Sequence, residues 1–383
     1  MNLSYWERDT LLADPDVLVI GSGIVGLHAA LVLRERQPAL RVCVAERGAL
    51  PSGASTKNAG FACFGSMTEL LEDRDAHGEA AMLALVARRW EGLRRLRKRL
   101  GNQALQYAAL GGYELFGPAD AASYAACRAE MDTLNHHLHG ITGLKATFRP
   151  AHRQIDALGL GQTRHLIRNA AEGQLHPGRM IGALLDRCRR AGVQVCTGLA
   201  VQAIADSGDR VQVSLPGGTT WTCRAVVVAT NGFARQLLPD LDLRPARNQV
   251  LVTTPIAGLR LRGTFHYDRG YVYFRNIGTD RVLLGGFRHL DPVGETTDAF
   301  GETDLIQTAQ ETFLREVVLP QHPQAKIDMR WSGILGLGSQ REPVLRQVSR
   351  RVVAAVRLGG MGVAIGSLLG EEAAQLLIET ALD

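Results

Sequence analysis

The sequence predicts an α/β fold organised around a parallel sheet, and three observations carry that expectation. Residues 16–20, DVLVI, are a short apolar run of the kind that forms a strand buried on both faces. The run passes directly into a glycine-rich turn, GSGIVG at 21–26, and then into a helical stretch over 27–36 that Pro38 stops. A second strand-like run, RVCVAE at 41–46, follows and ends on a carboxylate.

Each part of this unit has a chemical reason. Gly21 permits the tight turn, Gly23 lets the backbone approach a pyrophosphate, and Gly26 allows the helix to pack closely on the strand. Ser22, Ile24 and Val25 bring the helix N-terminus to the same place, with free N–H groups and a partial positive charge for phosphate. Glu46 stands twenty residues after Gly26, where a carboxylate accepts from both ribose hydroxyls. An acid there disfavours a 2′-phosphate and argues against NADP. The glycines alone are a weak signal; with strand, helix and acid in place they predict dinucleotide binding.

The choice between FAD and NAD falls to the rest of the chain. Arg47 and Gly48 lead into GASTKNAGF at 53–61, a long loop of small and polar residues suited to threading a flavin's ribityl chain. Its candidate contacts are Ala54, Ser55, Thr56, Asn58, Ala59 and Gly60, with Arg47 before them. Residues 225–232, AVVVATNG, are another buried strand ending in a turn of small residues that includes Thr230 and Gly232. Near the end, Gly360, Met361, Gly362 and Val363 open a final helix running to residue 377. The N-terminus of that helix suits the anionic N1–C2=O edge of a reduced flavin.

Composition sets the outer limits. The chain has 383 residues, 46% hydrophobic and 21% charged, enough for two or three lobes around sizeable cores. A mean hydropathy of −0.02 is that of an ordinary globular protein and excludes collagenous, disulfide-stapled and mainly disordered chains. No apolar stretch approaches the ~20 residues of a membrane span, and the first fourteen residues lack a signal-peptide pattern, so a cytoplasmic protein is expected.

The net charge is +5, with Lys at only four positions and the remaining basic residues Arg. This excess is spread rather than striped, so no nucleic-acid partner is expected. The densest basic stretch, 88–100, has Leu83, Val86, Trp90, Leu93, Leu96 and Leu100 at helical spacing and reads as a helix with its arginines on a solvated face. The six Cys form no CxxC pair and read mostly as small core residues, Cys63 alone falling in a loop-like stretch. Residues 135–139, NHHLH, lack zinc-site spacing and read as a surface turn; no metal is expected.

In this order and over almost the whole chain, the motifs resemble the FAD-dependent oxidoreductases of the D-amino-acid oxidase, glycine oxidase and sarcosine oxidase type. The resemblance rests on GSGIVG, the GASTKNAG loop, HPG at 176–178 opening a helix that ends RAGV at 190–193, and ATNG. It continues through PARNQV at 245–250, WSG at 331–333 and the closing GGMGV. SYWE near the start, ATNGF, YFR at 273–275 followed by LGG at 284–286, and GGMGV look closest to the γ-glutamylputrescine oxidase branch.

The resemblance implies a Rossmann-like FAD-binding lobe from residues 1–104, 170–240 and 328–383. A substrate lobe on a large antiparallel sheet would come from 105–169 and 241–327. Strand-like runs at 113–116, 250–254, 271–276 and 282–287 agree with that. Val201 and Gly333 complete the expected cofactor contacts. FAD is expected to be non-covalent, because Lys57 stands about where relatives attach it through histidine and the last glycine turn carries no Cys.

The implied reaction is hydride transfer from the carbon bearing an amine to flavin N5, giving an imine that water hydrolyses. The substrate is then a small amine or amino-acid derivative, and oxygen or another acceptor reoxidises the flavin. Departures from the family pattern concern the substrate. The arginines that hold its carboxylate in glycine and D-amino-acid oxidases are replaced here by Leu335 and Gly360, leaving Arg275 or Arg341 as alternative anchors. Tyr273 and His266 are the other candidate catalytic residues, with His165 a further candidate base. Two other readings stay open: oxidation of a 2-hydroxy acid with a histidine base, and a flavin-binding protein without turnover.

Overall fold

The computed structural model describes residues 4–382. Its first sheet has six strands in the spatial order Val344–Ser349, Val352–Val356, Ala225–Val228, Val17–Ile20, Val42–Ala45 and Gln194–Cys196. All neighbours run parallel except the edge strand Val344–Ser349. Alternation along Val17–Ile20 explains the layers. Val17 and Val19 face a core shared with the helices Ile24–Arg36, Pro177–Arg190 and Gly362–Leu377. Leu18 and Ile20 face a second core under the three-stranded sheet of Ala203–Asp206, Val211–Ser214 and Thr220–Cys223.

The second sheet has eight strands, in the order Ile327–Leu337, Arg244–Thr253, Arg281–Gly286, Val272–Ile277, Thr264–Tyr267, Gly112–Phe116, His165–Asn169 and Phe148–Pro150. It is antiparallel throughout apart from the pairing of Thr264–Tyr267 with Gly112–Phe116. All four strand-like runs of the sequence lie in it. The strand Ile327–Leu337 pairs with Arg244–Thr253 along its length and so belongs to this sheet. Its WSG glycine sits in the cross-strand ladder, with Asn248 opposite Gly333.

Two expectations change. The basic stretch lies in the helix Glu79–Leu100, but Arg89 is only 4% exposed. It turns inward because Phe64 O accepts from its Nη1 at 2.9 Å and Asp73 lies 3.9 Å away on the helix Met67–His77. Residues 135–139 are not a turn. They belong to the helix Ala121–Thr142, where Cys127, Met131, Leu134 and Leu138 make a buried stripe at helical spacing. Among the described residues, no helix is long and apolar enough to cross a membrane.

Candidate active site

A cleft runs over the carboxyl ends of the strands Val17–Ile20, Val42–Ala45 and Ala225–Val228, where parallel α/β sheets place their ligands. Gly21 turns the chain at φ 105°, and a Cβ there would lie 2.8 Å from Ala229 O, so only glycine suits the turn. Gly26 stands outside the cleft wall; its missing Cβ would lie 2.0 Å from Gly21 O, which is the close helix–strand packing expected of it. Between them, Gly23 precedes the helix Ile24–Arg36, and Ile24 N–H donates to Ser55 Oγ at 2.9 Å. An acceptor oxygen therefore already sits at this helix N-terminus, where a phosphate oxygen would bind.

Glu46 is held from two sides. Its Oε2 accepts from Ser22 Oγ at 2.6 Å and Ser22 N–H at 3.2 Å, while Oε1 accepts from Gly48 N–H at 2.9 Å. The carboxylate lines the cleft with Ser22, Val25 and Arg47, the last stacked 3.7 Å over the Phe233 ring. The loop beyond it is organised by Asn58. That side chain donates to Ala54 O and Ser55 O at 3.0 and 2.8 Å and accepts from Gly60 N–H at 2.8 Å. Ala54, Ser55, Thr56 and Asn58 face the cleft from one side, Val201 and Thr230 from the other, and Gly360, Gly362 and Val363 close its end. Gly232 does not reach it. A Cβ there would lie 2.5 Å from Leu335 O, so this glycine serves packing beneath the turn.

A second cavity adjoins the first; Ala54, Asn58, Leu335, Gly360 and Val363 line both. Ala59, Gly60, Gly333 and Met361 face this second space. Its aromatic wall is Phe61, Tyr271 and Tyr273, with Phe61 edge-on to Tyr273 at 5.7 Å and to His266 at 5.2 Å. Tyr273 Oη accepts from Asn248 Nδ2 at 3.1 Å, and burial pushes the phenol pKa up, so it stays protonated.

His266 also lines this cavity, but both ring nitrogens face carboxylates: Nε2 lies 2.7 Å from Glu172 Oε1 and Nδ1 3.8 Å from Glu69 Oε2. Burial opposes the charged ring, yet Glu172, Glu69 and Glu114 together outweigh it and raise the pKa to about 9. The imidazolium is the resting form. Cys63 stands beside this pair; burial and the neighbouring carboxylates hold its thiol well above the ordinary range and therefore protonated. Cys63, Glu172 and His266 bring their ligand atoms within 4.8 Å of one another, but Glu172 Oε1 is already taken by His266 and by Thr264 Oγ1 at 2.8 Å. His266 and Glu172 are an internal ion pair beside the neutral Cys63 thiol, and Glu172 Oε2 stays buried with no partner among the described residues.

Arg275 is not among the residues facing the second cavity; it lies behind Gly60, with Nη2 3.2 Å from where a Cβ on that glycine would be. His165 is also remote, stacked on Tyr124 at 3.9 Å. Six other arginines reach the cavity. Arg89, Arg269, Arg341 and Arg357 face carboxylates of Asp73, Asp268, Glu72 with Asp73, and Asp242 respectively. Arg244 and Arg288 face no carboxylate among the described residues, and Arg288 lies 5.1 Å over the Tyr271 ring. Sequence reading missed Arg288, Asn248 and Glu69. Only Arg288 had a local signal, following the LGG strand end where Phe287 turns at φ 68°.

The cleft fits FAD on its own features: an acceptor-ready helix N-terminus, a fixed carboxylate, and a buried Thr230 hydroxyl that finds no partner among the described residues. Comparison with known proteins agrees. The oxidoreductase OrdL of Rhizobium meliloti is 24% identical over 96% of this chain and 84% of its own length. The gamma-glutamylputrescine oxidoreductase of Escherichia coli is 25% identical over 94% of this chain and 83% of its own. Among solved structures, glycine oxidase from Geobacillus kaustophilus superposes with a TM-score of 0.73 at 19% identity, covering 96% of this chain and 95% of that one. The L-proline dehydrogenase of P. horikoshii gives 0.75 at 16% identity, covering 96% and 94%. Residues 16–376 match the family described as FAD dependent oxidoreductase, and the chain belongs to that family.

Proposed function

We propose that the protein oxidises the C–N bond of an amine or amino-acid derivative. Bound FAD supplies a hydride acceptor at N5. On this reading its adenosine and pyrophosphate lie along the first cleft and its ring where the two cavities meet, with substrate in the second. The cofactor is non-covalent, in keeping with the protonated, buried Cys63 thiol and with Lys57 in the loop. Residues 1–104, 170–240 and 328–383 hold the cofactor, with the strand Ile327–Leu337 shared, and 105–169 and 241–327 cover the substrate.

One observation carries the choice of bond. The histidine of the substrate cavity is an acid, locked between Glu172 and Glu69, and is unfit to take a proton from a substrate hydroxyl. Oxidation of a 2-hydroxy acid needs such a base. An amine brings its own lone pair and needs only to be neutral, which at pH 7 costs about 4–5 kcal/mol for an alkylamine of pKa ~10.4. The aromatic wall of Phe61, Tyr271 and Tyr273 supports that form by desolvating the ammonium.

Leu335 and Gly360 line both cavities, so the places where relatives put carboxylate-binding arginines are uncharged here. Arg288 and Arg244, which meet no carboxylate among the described residues, favour a substrate whose anionic group is displaced toward that wall. The test is an anaerobic titration of purified protein, following flavin absorbance. Its panel is polyamines and their acylated forms, N-methylated amino acids, D- and L-amino acids, and 2-hydroxy acids. Bleaching by an amine supports the reading, and readmitted air then shows whether oxygen is the acceptor. Bleaching by a hydroxy acid alone overturns it.

A further inference from the structure

The strands Val42–Ala45 and Gln194–Cys196 run parallel at the edge of the first sheet, with Cys43 opposite Gln194 and Ala45 opposite Cys196. Cys43 and Cys196 are therefore diagonal neighbours on one face, and their sulfurs lie 3.7 Å apart with the Cys43 thiol donating. Their surroundings differ. Cys43 is 1% exposed in the core under the three-stranded sheet, whereas Cys196 is half-buried at the end of the edge strand. The bond from Cys43, with a second from the Gln194 side chain, holds the Cys196 thiol below its ordinary pKa against the pull of burial. Cys63, Cys127, Cys188 and Cys223 are buried, and burial pushes their thiols up. Cys196 alone is partly exposed and acidified, and it has a second thiol in contact.

The end of this strand is tied to the cofactor cleft. Glu46 N–H donates to Cys196 O, Leu199 N–H donates to Glu46 O, and Gly198 N–H donates to Gly48 O, each at 2.8 Å. Residues 199–201 then line the cleft beside Glu46.

We propose that Cys43 and Cys196 form a dithiol oxidised by hydrogen peroxide, in which Cys196 reacts, Cys43 closes the disulfide, and closure draws the edge strand back from the cleft. The Cys196 thiolate attacks one peroxide oxygen, the O–O bond breaks, and the departing oxygen takes up a proton to leave as water. The Cys43 sulfur then displaces the second oxygen from the Cys196 sulfenic acid, again as water. The two thiols give up two electrons and two protons, and the peroxide takes up both.

Diagonal Cα atoms in neighbouring strands lie about 8 Å apart, whereas a disulfide closes at about 4.4–6.8 Å, so one strand must move. Val42–Ala45 is held on both sides, by Val17–Ile20 and by the edge strand. Gln194–Cys196 is three residues long and pairs on one side only among the described residues. Cys196 reaches Cys43 by sliding toward the amino ends of the parallel strands. That slide breaks the bonds to Glu46 and Gly48 and withdraws residues 199–201 from the cleft. The consequence for FAD rests on the placement of the cofactor's ribose at Glu46; the thiol chemistry does not.

The experiment treats holoprotein with hydrogen peroxide, counts free thiols, maps the linked peptides, and measures FAD affinity before and after. Free thiols should fall from six to four, with Cys43 joined to Cys196. FAD should bind roughly tenfold more weakly, the loss of one or two hydrogen bonds, and dithiothreitol should reverse both changes. Cys43→Ser should instead collect an oxyacid on Cys196, and Cys196→Ser should keep its remaining thiols. Should either variant fail to fold, the wild-type peptide map decides. Six thiols still free, or first oxidation at another cysteine, overturns the dithiol. A linked pair with unchanged FAD affinity overturns the strand movement, and Gly23→Val shows whether the cleft reading fell with it: a yellow variant means that it did.

Discussion

His266 and Glu172 form a buried ion pair at the wall of the second cavity, Nε2 to Oε1 at 2.7 Å, with Glu172 1% exposed. The pair makes stability depend on pH. An unfolded histidine titrates near ~6.5, and here burial's downward pull is outweighed by Glu172, Glu69 and Glu114, which set the folded value at about 9. The contribution is thus complete below the unfolded pKa and is lost as pH rises through 9. Urea unfolding at pH 6, 7.5 and 9 should show wild type losing stability across that window. Glu172→Gln should be destabilised by on the order of 3–5 kcal/mol at the lowest pH and should lose much of the dependence. Parallel curves for the two proteins would remove the pair as its source.

The same protonated ring leaves catalysis without an enzyme base of ordinary histidine pKa. The kcat/KM of an oxidised amine should rise with pH along the titration of the substrate itself. Exchanging it for an amine of lower pKa should move that limb by a similar interval. A limb near pH 6.5 that stays in place when the amine is changed would assign a base to the protein.

Gly23 and Glu46 separate cofactor binding from folding. A Cβ at Gly23 would come 3.0 Å from the Ser55 hydroxyl, a contact a flexible side chain relieves, so Gly23→Val should fold yet block the phosphate approach. The purified variant should be colourless with a thermal midpoint near that of wild-type apoprotein; a fully yellow variant would sink the phosphate-loop assignment. Glu46→Gln weakens the ribose contact and one charge-assisted bond, about 1.5–3 kcal/mol. FAD affinity measured on apoprotein should fall by roughly ten- to hundredfold.

What the sequence made legible follows from the range of the constraint. The packing of Gly26 and the acid Glu46 are fixed by neighbours within one strand–helix–strand unit, and Gly21 by its own φ of 105°; each carries a residue type that little else explains. Four of the eight strands of the second sheet were visible in their own apolar runs; Thr264–Tyr267, His165–Asn169, Phe148–Pro150 and Ile327–Leu337 were not. Arg89 was misread because its inward turn depends on Asp73 and Phe64 O, which helical periodicity does not see. Residues 135–139 looked like a turn because three histidines masked the stripe carried by Leu134 and Leu138. The cluster of Glu69, Glu172 and His266 joins three distant segments, and nothing local marks Glu69 or Glu172 as its partners.

Arg288 offers the sharpest probe of the substrate. It reaches the second cavity from the turn after the strand Arg281–Gly286, stacks over Tyr271 at 5.1 Å and meets no carboxylate among the described residues. An arginine so placed binds an anionic group through paired N–H donors, which glutamine cannot reproduce. Arg288→Gln should raise KM for a carboxylate-bearing amine by roughly ten- to hundredfold, the loss of one charge-assisted contact of about 1.5–3 kcal/mol. Its kcat should change little, because the contact is the same before and during hydride transfer. For an uncharged alkylamine of the same length, KM should be unaffected. Equal losses on both substrates would mean that Arg288 supports the Tyr271 wall and reads no charge.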